Sequence, residues 1–134
     1  MKIIAFIILF LYACLQPAGL KIDEIQVTLT WTGTASFYHQ KFEGRKTSSG
    51  EVFSNKEYTA AHKSLPFGTY VKVTHLKNEK QVLVKINDRL PPKSTRMIDL
   101  SVAAATDLNM IRAGLAKVQI EVVMMEEEEA EENE

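Results

Sequence analysis

The sequence predicts a small closed β-barrel with one short helix. Three observations carry that expectation. Residues 29–125 hold a succession of short alternating or β-branched runs separated by turn residues, the pattern of an all-β barrel. Only Ser101–Asn109 reads as helical, with Ser101 placed to cap an alanine-rich turn. A single cysteine excludes an intrachain disulfide framework and a paired-cysteine zinc site. The core must therefore rest on apolar burial, which roughly 100 residues can supply. At 46% hydrophobic and 25% charged, the 134-residue chain has the composition of one ordinary globular domain.

In chain order, Met1 and Lys2 precede IIAFIILFLYA, eleven apolar residues. That run is too short to span a bilayer and has the length of a signal-peptide core. Leu11-Tyr12-Ala13-Cys14 resembles a bacterial lipobox, so residues 1–13 are expected to be a lipoprotein signal peptide and Cys14 the lipidated first residue. Tyr12 departs from the small residue usual there. Residues 14–28 read as a tether. The chain is expected to be exported either way.

Thr30–Tyr38 alternates around Trp31, Ala35 and Phe37 and reads as the first strand. Tyr70–Leu76 and Gln81–Ile86 are β-branched runs joined by Lys77-Asn78-Glu79-Lys80, a hairpin signature. Leu115–Met124 reads as the closing strand. Between them, Gly44–Glu51 is too rich in small and polar residues to pack, and is expected to frame a cleft. Residues 126–134 (EEEEAEENE) hold 7 of the 17 acidic residues and are expected to form a solvated, disordered tail. Residues 15–125 carry 15 Lys/Arg against 10 Asp/Glu, a net charge of about +5 that favours an anionic partner. Charge alone does not choose among nucleic acid, membrane and acidic polysaccharide; export argues against nucleic acid.

Several polar positions exceed what a barrel needs. His62 and Lys63 stand before Pro66-Phe67-Gly68; Asn87-Asp88-Arg89 ends an otherwise apolar strand; Arg96 and Asp99 lead into the helix. Each alone has an ordinary structural explanation, since Asp and Asn end strands and a lone histidine is commonly a satisfied structural group. In their order, the blocks GTASFY, GRKTSSGEVF, TAAHKSLPFGTYVKVT, VKINDR and RMIDLSVAAA resemble the rare lipoprotein A family and its double-psi β-barrel domain, from Gly33 to about Val123. The match implies a six-stranded double-psi barrel. One departure is Leu90-Pro91-Pro92, where members of the family have glycine and then proline after the NDR triplet. The peptidoglycan-binding repeat domain of many members is expected to be absent, with the acidic tail in its place.

The resemblance implies a lytic transglycosylase that cleaves the MurNAc–GlcNAc bond of peptidoglycan, leaves a 1,6-anhydro sugar and prefers strands stripped of stem peptides. Its functional positions fall on Glu51, His62 and Asp88. One carboxyl suffices for such chemistry, protonating the glycosidic oxygen and then accepting the proton of the C6 hydroxyl. Asp88 is the favoured acid, on the expectation that burial at a strand end raises its pKa. Glu51 is the second carboxylate, with the reverse assignment left open. Arg89 is expected to turn toward substrate or Asp99, and His62 to orient a carboxylate or to tie two loops together. Lys63, Arg89 and Arg96 are the candidate contacts for the lactyl carboxylates of a peptide-free strand. Tyr38 and Phe67 are candidate sugar-stacking rings, against a structural place in the core. His39, His62 and His75 show no ligand spacing, so neither metal nor other cofactor is expected. The expected setting is an outer-membrane lipoprotein, palmitoylated at Cys14, facing the periplasm and acting as a monomer. Rival readings are an expansin-like binder without catalysis and a hydrolase using both carboxylates.

Overall fold

The computed structural model describes residues 29–124. The apolar leader, Cys14 and the acidic tail lie outside the described residues. Six strands are present: β1 (Thr30–Phe37), β2 (Thr59–His62), β3 (Tyr70–His75), β4 (Gln81–Arg89), β5 (Ile98–Leu100) and β6 (Ala116–Val123). They close into a barrel in the order β1-β5-β2-β4-β3-β6, with β6 returning to β1. The pairs β1/β5 and β2/β4 are parallel and the others antiparallel. Among the described residues, closure leaves the barrel without a free sheet edge.

Alternation fills the interior. Val71 and Val73 of β3, Val82, Val84 and Ile86 of β4, Ile98 and Leu100 of β5, and Val118 and Ile120 of β6 all point inward and are buried. Each such side chain contributes on the order of 1.5–3 kcal/mol of apolar transfer. The β3–β4 hairpin turns where expected. Glu79 adopts a left-handed φ of 61°, and the Lys80 amide donates to Asn78 Oδ1 at 2.9 Å. Helix α1 (Val102–Asp107) is shorter than its sequence signal, and Ser101 caps it by accepting from the Ala104 amide at 3.3 Å. Its Ala104 and Ala105 are buried, and the helix packs on β1, β4 and β5. On β1, Ala35 is core and Phe37 packs against it, but Trp31 lies near the strand end and is 42% exposed. Gly33 is required by close approach: a Cβ there would stand 2.9 Å from the Cβ of Met97.

One irregularity positions the site. In β4 the inward set is Val82, Val84 and Ile86, so strict alternation would send Asp88 into the core. The β2/β4 register shifts between Ala60 and Ala61: Ala60 pairs with Ile86, but Ala61 pairs with Asp88. Asn87 is the extra residue of this bulge and is 2% exposed. A one-residue slip reverses which face every later side chain takes, so Asp88 emerges on the outside of the barrel. The strand signal ends at Ile86, whereas β4 runs on through Asn87, Asp88 and Arg89.

Candidate active site

Across four adjacent strands, Ser36 of β1, Asp99 of β5, Ala61 of β2 and Asp88 of β4 are successive cross-strand neighbours. They line one outer cleft of about 530 Å³, together with Tyr38, Lys41, Leu90 and Arg96. Strands lie roughly 4.8 Å apart, so the backbones of Asp88 and Asp99 stand about 10 Å apart with only the methyl of Ala61 between them. Leu90, which stands where the family has glycine, forms part of the cleft lining together with Pro91. A groove of similar volume lies beyond the 3-10 turn Gln40–Phe42, but its one carboxylate, Glu43, accepts the Asn55 amide at 2.7 Å.

Asp88 is held by three donors. The Tyr38 hydroxyl donates to Oδ2 at 2.5 Å, and the amides of Ser48 and Arg89 donate to Oδ1 at 3.0 and 2.9 Å. Burial is the largest single influence on this carboxyl and works to raise its pKa. The Tyr38 hydroxyl and the two amides, with a smaller contribution from the Ser48 hydroxyl, together outweigh burial and hold it below the usual carboxylate range. The expected elevation of Asp88 is thus corrected for the resting protein: the bulge that exposes the carboxyl also delivers it to donors. Tyr38 is shifted the other way, upward, first by burial and then by its hydrogen bond to Asp88 and the nearby charges of Asp88 and Asp99. Its ring stacks on Phe53 at 4.2 Å and meets Phe42 edge-on at 5.8 Å, so the Phe53-facing side is already occupied.

Asp99 receives Arg96 in a two-point contact, Nε at 2.7 Å and Nη2 at 3.1 Å. Through its guanidinium Arg89 is hydrogen-bonded to neither carboxylate, although its backbone amide donates to Asp88. Its guanidinium lies over the Phe67 ring at 4.1 Å, and Nη1 donates weakly to the carbonyls of His62 and Asp88 at 3.5 and 3.4 Å. Phe67 is 42% exposed, outside the core, with one face covered by that cation. Lys41, which sequence reasoning passed over, lines the cleft, and Lys41 and Arg45 both approach the Phe42 ring, at 5.2 and 5.6 Å. The signal that could have found Lys41 is its place three residues after Tyr38, in the turn that follows the first strand.

The other predicted residues are not brought into this cleft. Glu51 pairs with Lys85 at 2.9 Å and accepts from Asn87 Nδ2 at 3.2 Å, alongside the bulge rather than in the cleft lining. Lys85 first, then Asn87, holds its pKa low. Glu51 and Asp88 nevertheless share a mount, because the Gly44–Glu51 loop docks on β4 through the Ser48 amide on Asp88 and the Ser49 amide on the Asn87 carbonyl at 3.2 Å. His62 pairs in register with core residue Ile98 and is 9% exposed. Its Nδ1 accepts the amides of Ser64 and Leu65 at 3.1 and 3.0 Å, so it ties the following turn and touches no carboxylate. Burial, then the charges of Arg89 and Lys63, push its pKa down and favour the neutral ring. His39 and His75 cap turns in the same way, through the amides of Lys41 and Lys77. Lys63 is exposed beside His62, outside the cleft lining.

A closed six-stranded barrel with two parallel and four antiparallel strand pairings, whose outer face presents two carboxylates on either side of one strand, is a double-psi β-barrel. Within it, the family model described as lytic transglycolase matches residues 30–120, and the chain belongs to that family. It is 50% identical over 94 residues to a Pasteurella multocida protein named endolytic peptidoglycan transglycosylase RlpA, covering 70% of this chain and 32% of that one. A Haemophilus influenzae protein of the same name is 52% identical over 91 residues, covering 68% and 32%. The chain thus matches about a third of the length of these relatives. Among solved structures it is similar to the Streptomyces papain inhibitor (TM-score 0.59, 21% identity, 72% of this chain and 96% of that one). It is also similar to a Clavibacter michiganensis expansin (TM-score 0.60, 21% identity, 74% and 52%). Both likenesses concern the fold.

Proposed function

We propose that this barrel is a lytic transglycosylase acting on peptide-free peptidoglycan strands, with Asp88 as its acid and base. The observation that carries the reading is Asp88 itself, turned outward by a bulge into an open cleft and fixed there by three donors. The names of relatives about 50% identical support the same reaction. In the reaction, one proton leaves the C6 hydroxyl of MurNAc and one reaches the leaving oxygen, with no water consumed. A single carboxyl can serve both ends. A bound strand strips water from Asp88 and brings lactyl carboxylates close, and both effects raise its pKa from the resting position. Protonation is thereby coupled to substrate binding. Lys41 and Arg89 meet the polyanion at the cleft, while the charge of Arg96 is already answered by Asp99.

The apolar leader and the Leu11-Tyr12-Ala13-Cys14 motif support an exported, outer-membrane lipoprotein facing the periplasm, anchored at Cys14 and working as a monomer. The test is mass spectrometry of peptide-free glycan strands incubated with the full chain. Anhydro-ended fragments are the expected product. Reducing-end fragments alone would make the protein a hydrolase, and binding without cleavage would make it an expansin-like module.

A further inference from the structure

Asp88 has few ways to exchange a proton. A carboxylate offers about four acceptor positions, two per oxygen. The amides of Ser48 and Arg89 occupy both positions on Oδ1, and Tyr38 occupies one on Oδ2. The Ser48 hydroxyl, which lies outside the cleft lining, is a further and weaker donor to the carboxyl, so at most one position remains open and Tyr38 is the side-chain donor that lines the cleft. Other charged groups nearby are engaged elsewhere: Arg96 with Asp99, and the Arg89 guanidinium with Phe67 and two backbone carbonyls. If the open position gives the proton to the leaving oxygen, the return path from the C6 hydroxyl runs through the other occupant of Oδ2. Tyr38 lines the cleft, and its hydroxyl already donates toward Asp88, the direction in which a returning proton travels.

We propose that Tyr38 is a catalytic residue that relays the C6 hydroxyl proton to Asp88, and so determines that the sugar closes on itself instead of reacting with water. The inference rests on the transglycosylase reading. Protonated Asp88 gives its proton to the glycosidic oxygen; the C1–O4 bond breaks, its electron pair leaving with the oxygen. O6 then bonds to C1 as its proton passes to the Tyr38 oxygen and the Tyr38 proton passes to Asp88 Oδ2. The pair ends as it began, and one C–O bond has been exchanged for another. The Tyr38 ring is locked between Phe53 and Phe42, which holds the hydroxyl at one place through the cycle.

Tyr38→Phe keeps the ring packing and removes the hydroxyl, and with it both the relay and one donor to Asp88; loss of the donor alone changes the rate, whereas loss of the relay changes the product ratio. Bond cleavage by Asp88 then persists at a lower rate, but capture by O6 loses its path. The expected result, read by mass spectrometry of strand digests, is a fall of about tenfold or more in the ratio of anhydro to reducing-end products. A slower variant that still makes only anhydro ends overturns the relay, as does loss of all product in a variant that melts like the wild type. Should Tyr38→Phe fail to fold, a proton inventory of the wild type in mixtures of light and heavy water decides the matter. Curvature from two protons in flight supports the relay, and a linear dependence overturns it. A wild type that yields no anhydro fragments refutes the transglycosylase reading itself, a result distinct from any of these.

Discussion

Asp88→Asn separates chemistry from architecture. The substituted amide retains an oxygen for the Ser48 and Arg89 amides, and its NH2 faces Tyr38, whose hydroxyl oxygen can accept from it. All three hydrogen bonds survive; what they lose is their charge. A charge-assisted bond contributes roughly 1 kcal/mol more than a neutral one, about 3 kcal/mol over three. Relief of carboxylate desolvation and screening at a part-exposed position offset much of that, leaving a net cost of about 1 kcal/mol. For a domain of this size the melting temperature falls by about 4–8 °C. The cleavage rate falls far more, by about 10²–10⁴, the usual contribution of a positioned acid–base group. The sign with pH follows from the low folded-state pKa. The stabilisation by Asp88 is present above its unfolded value near pH 4 and is lost as pH falls through the folded value. The difference in melting temperature between wild type and variant therefore shrinks on acidification below about pH 4. Fragment release followed beside thermal melts at pH 7 and pH 3 measures all three quantities. Turnover within tenfold of wild type, or a variant unfolded at pH 7, would refute the reasoning.

Glu51→Gln is expected to leave the melting temperature nearly unchanged, because an exposed pair with Lys85 contributes at most about 1 kcal/mol. Its rate loss should be smaller than that of Asp88→Asn; equal losses in a rate assay would show that Glu51 reaches the glycan. His62→Ala should cost about 1–3 kcal/mol in a denaturation experiment, since two turn amides lose their acceptor. Because burial favours neutral His62, its contribution is full above about pH 6.5 and declines as pH falls, and unfolding curves at pH 5 and 8 should show that the cost of the variant shrinks at the lower pH. Gly33→Ala should destabilise by about 1–3 kcal/mol through its clash with Met97, and Met97→Ala in the same chain should recover part of the loss. Strict additivity of the two would show that the contact is relaxed elsewhere.

Much of the barrel is local and so was legible in the residues. The β-branched runs at Tyr70 and Gln81, the turn between them, the closing strand and the Ser101 cap all depend on neighbours within a few positions. The five ordered blocks pointed to the family in the same way. Strand β2 left no signal because TAAH is too short to show alternation and is held by partners on both sides. The site lay further from reach. Periodicity sends Asp88 toward the core, and only the pairing of Ala61 with Asp88 past Asn87 turns it outward. Partner choice among charges was equally nonlocal: Lys85 reaches back to Glu51 and Tyr38 spans to Asp88, while Arg96 takes Asp99, one of the two expected targets of Arg89, and Arg89 lines the cleft. The sequence by itself determined which segments become strands and which residues bear chemistry, because those follow from local sterics and composition. The tertiary structure alone decided which face each residue took and which donors set its charge, because a register shift and long-range hydrogen bonds exist only once the barrel has closed.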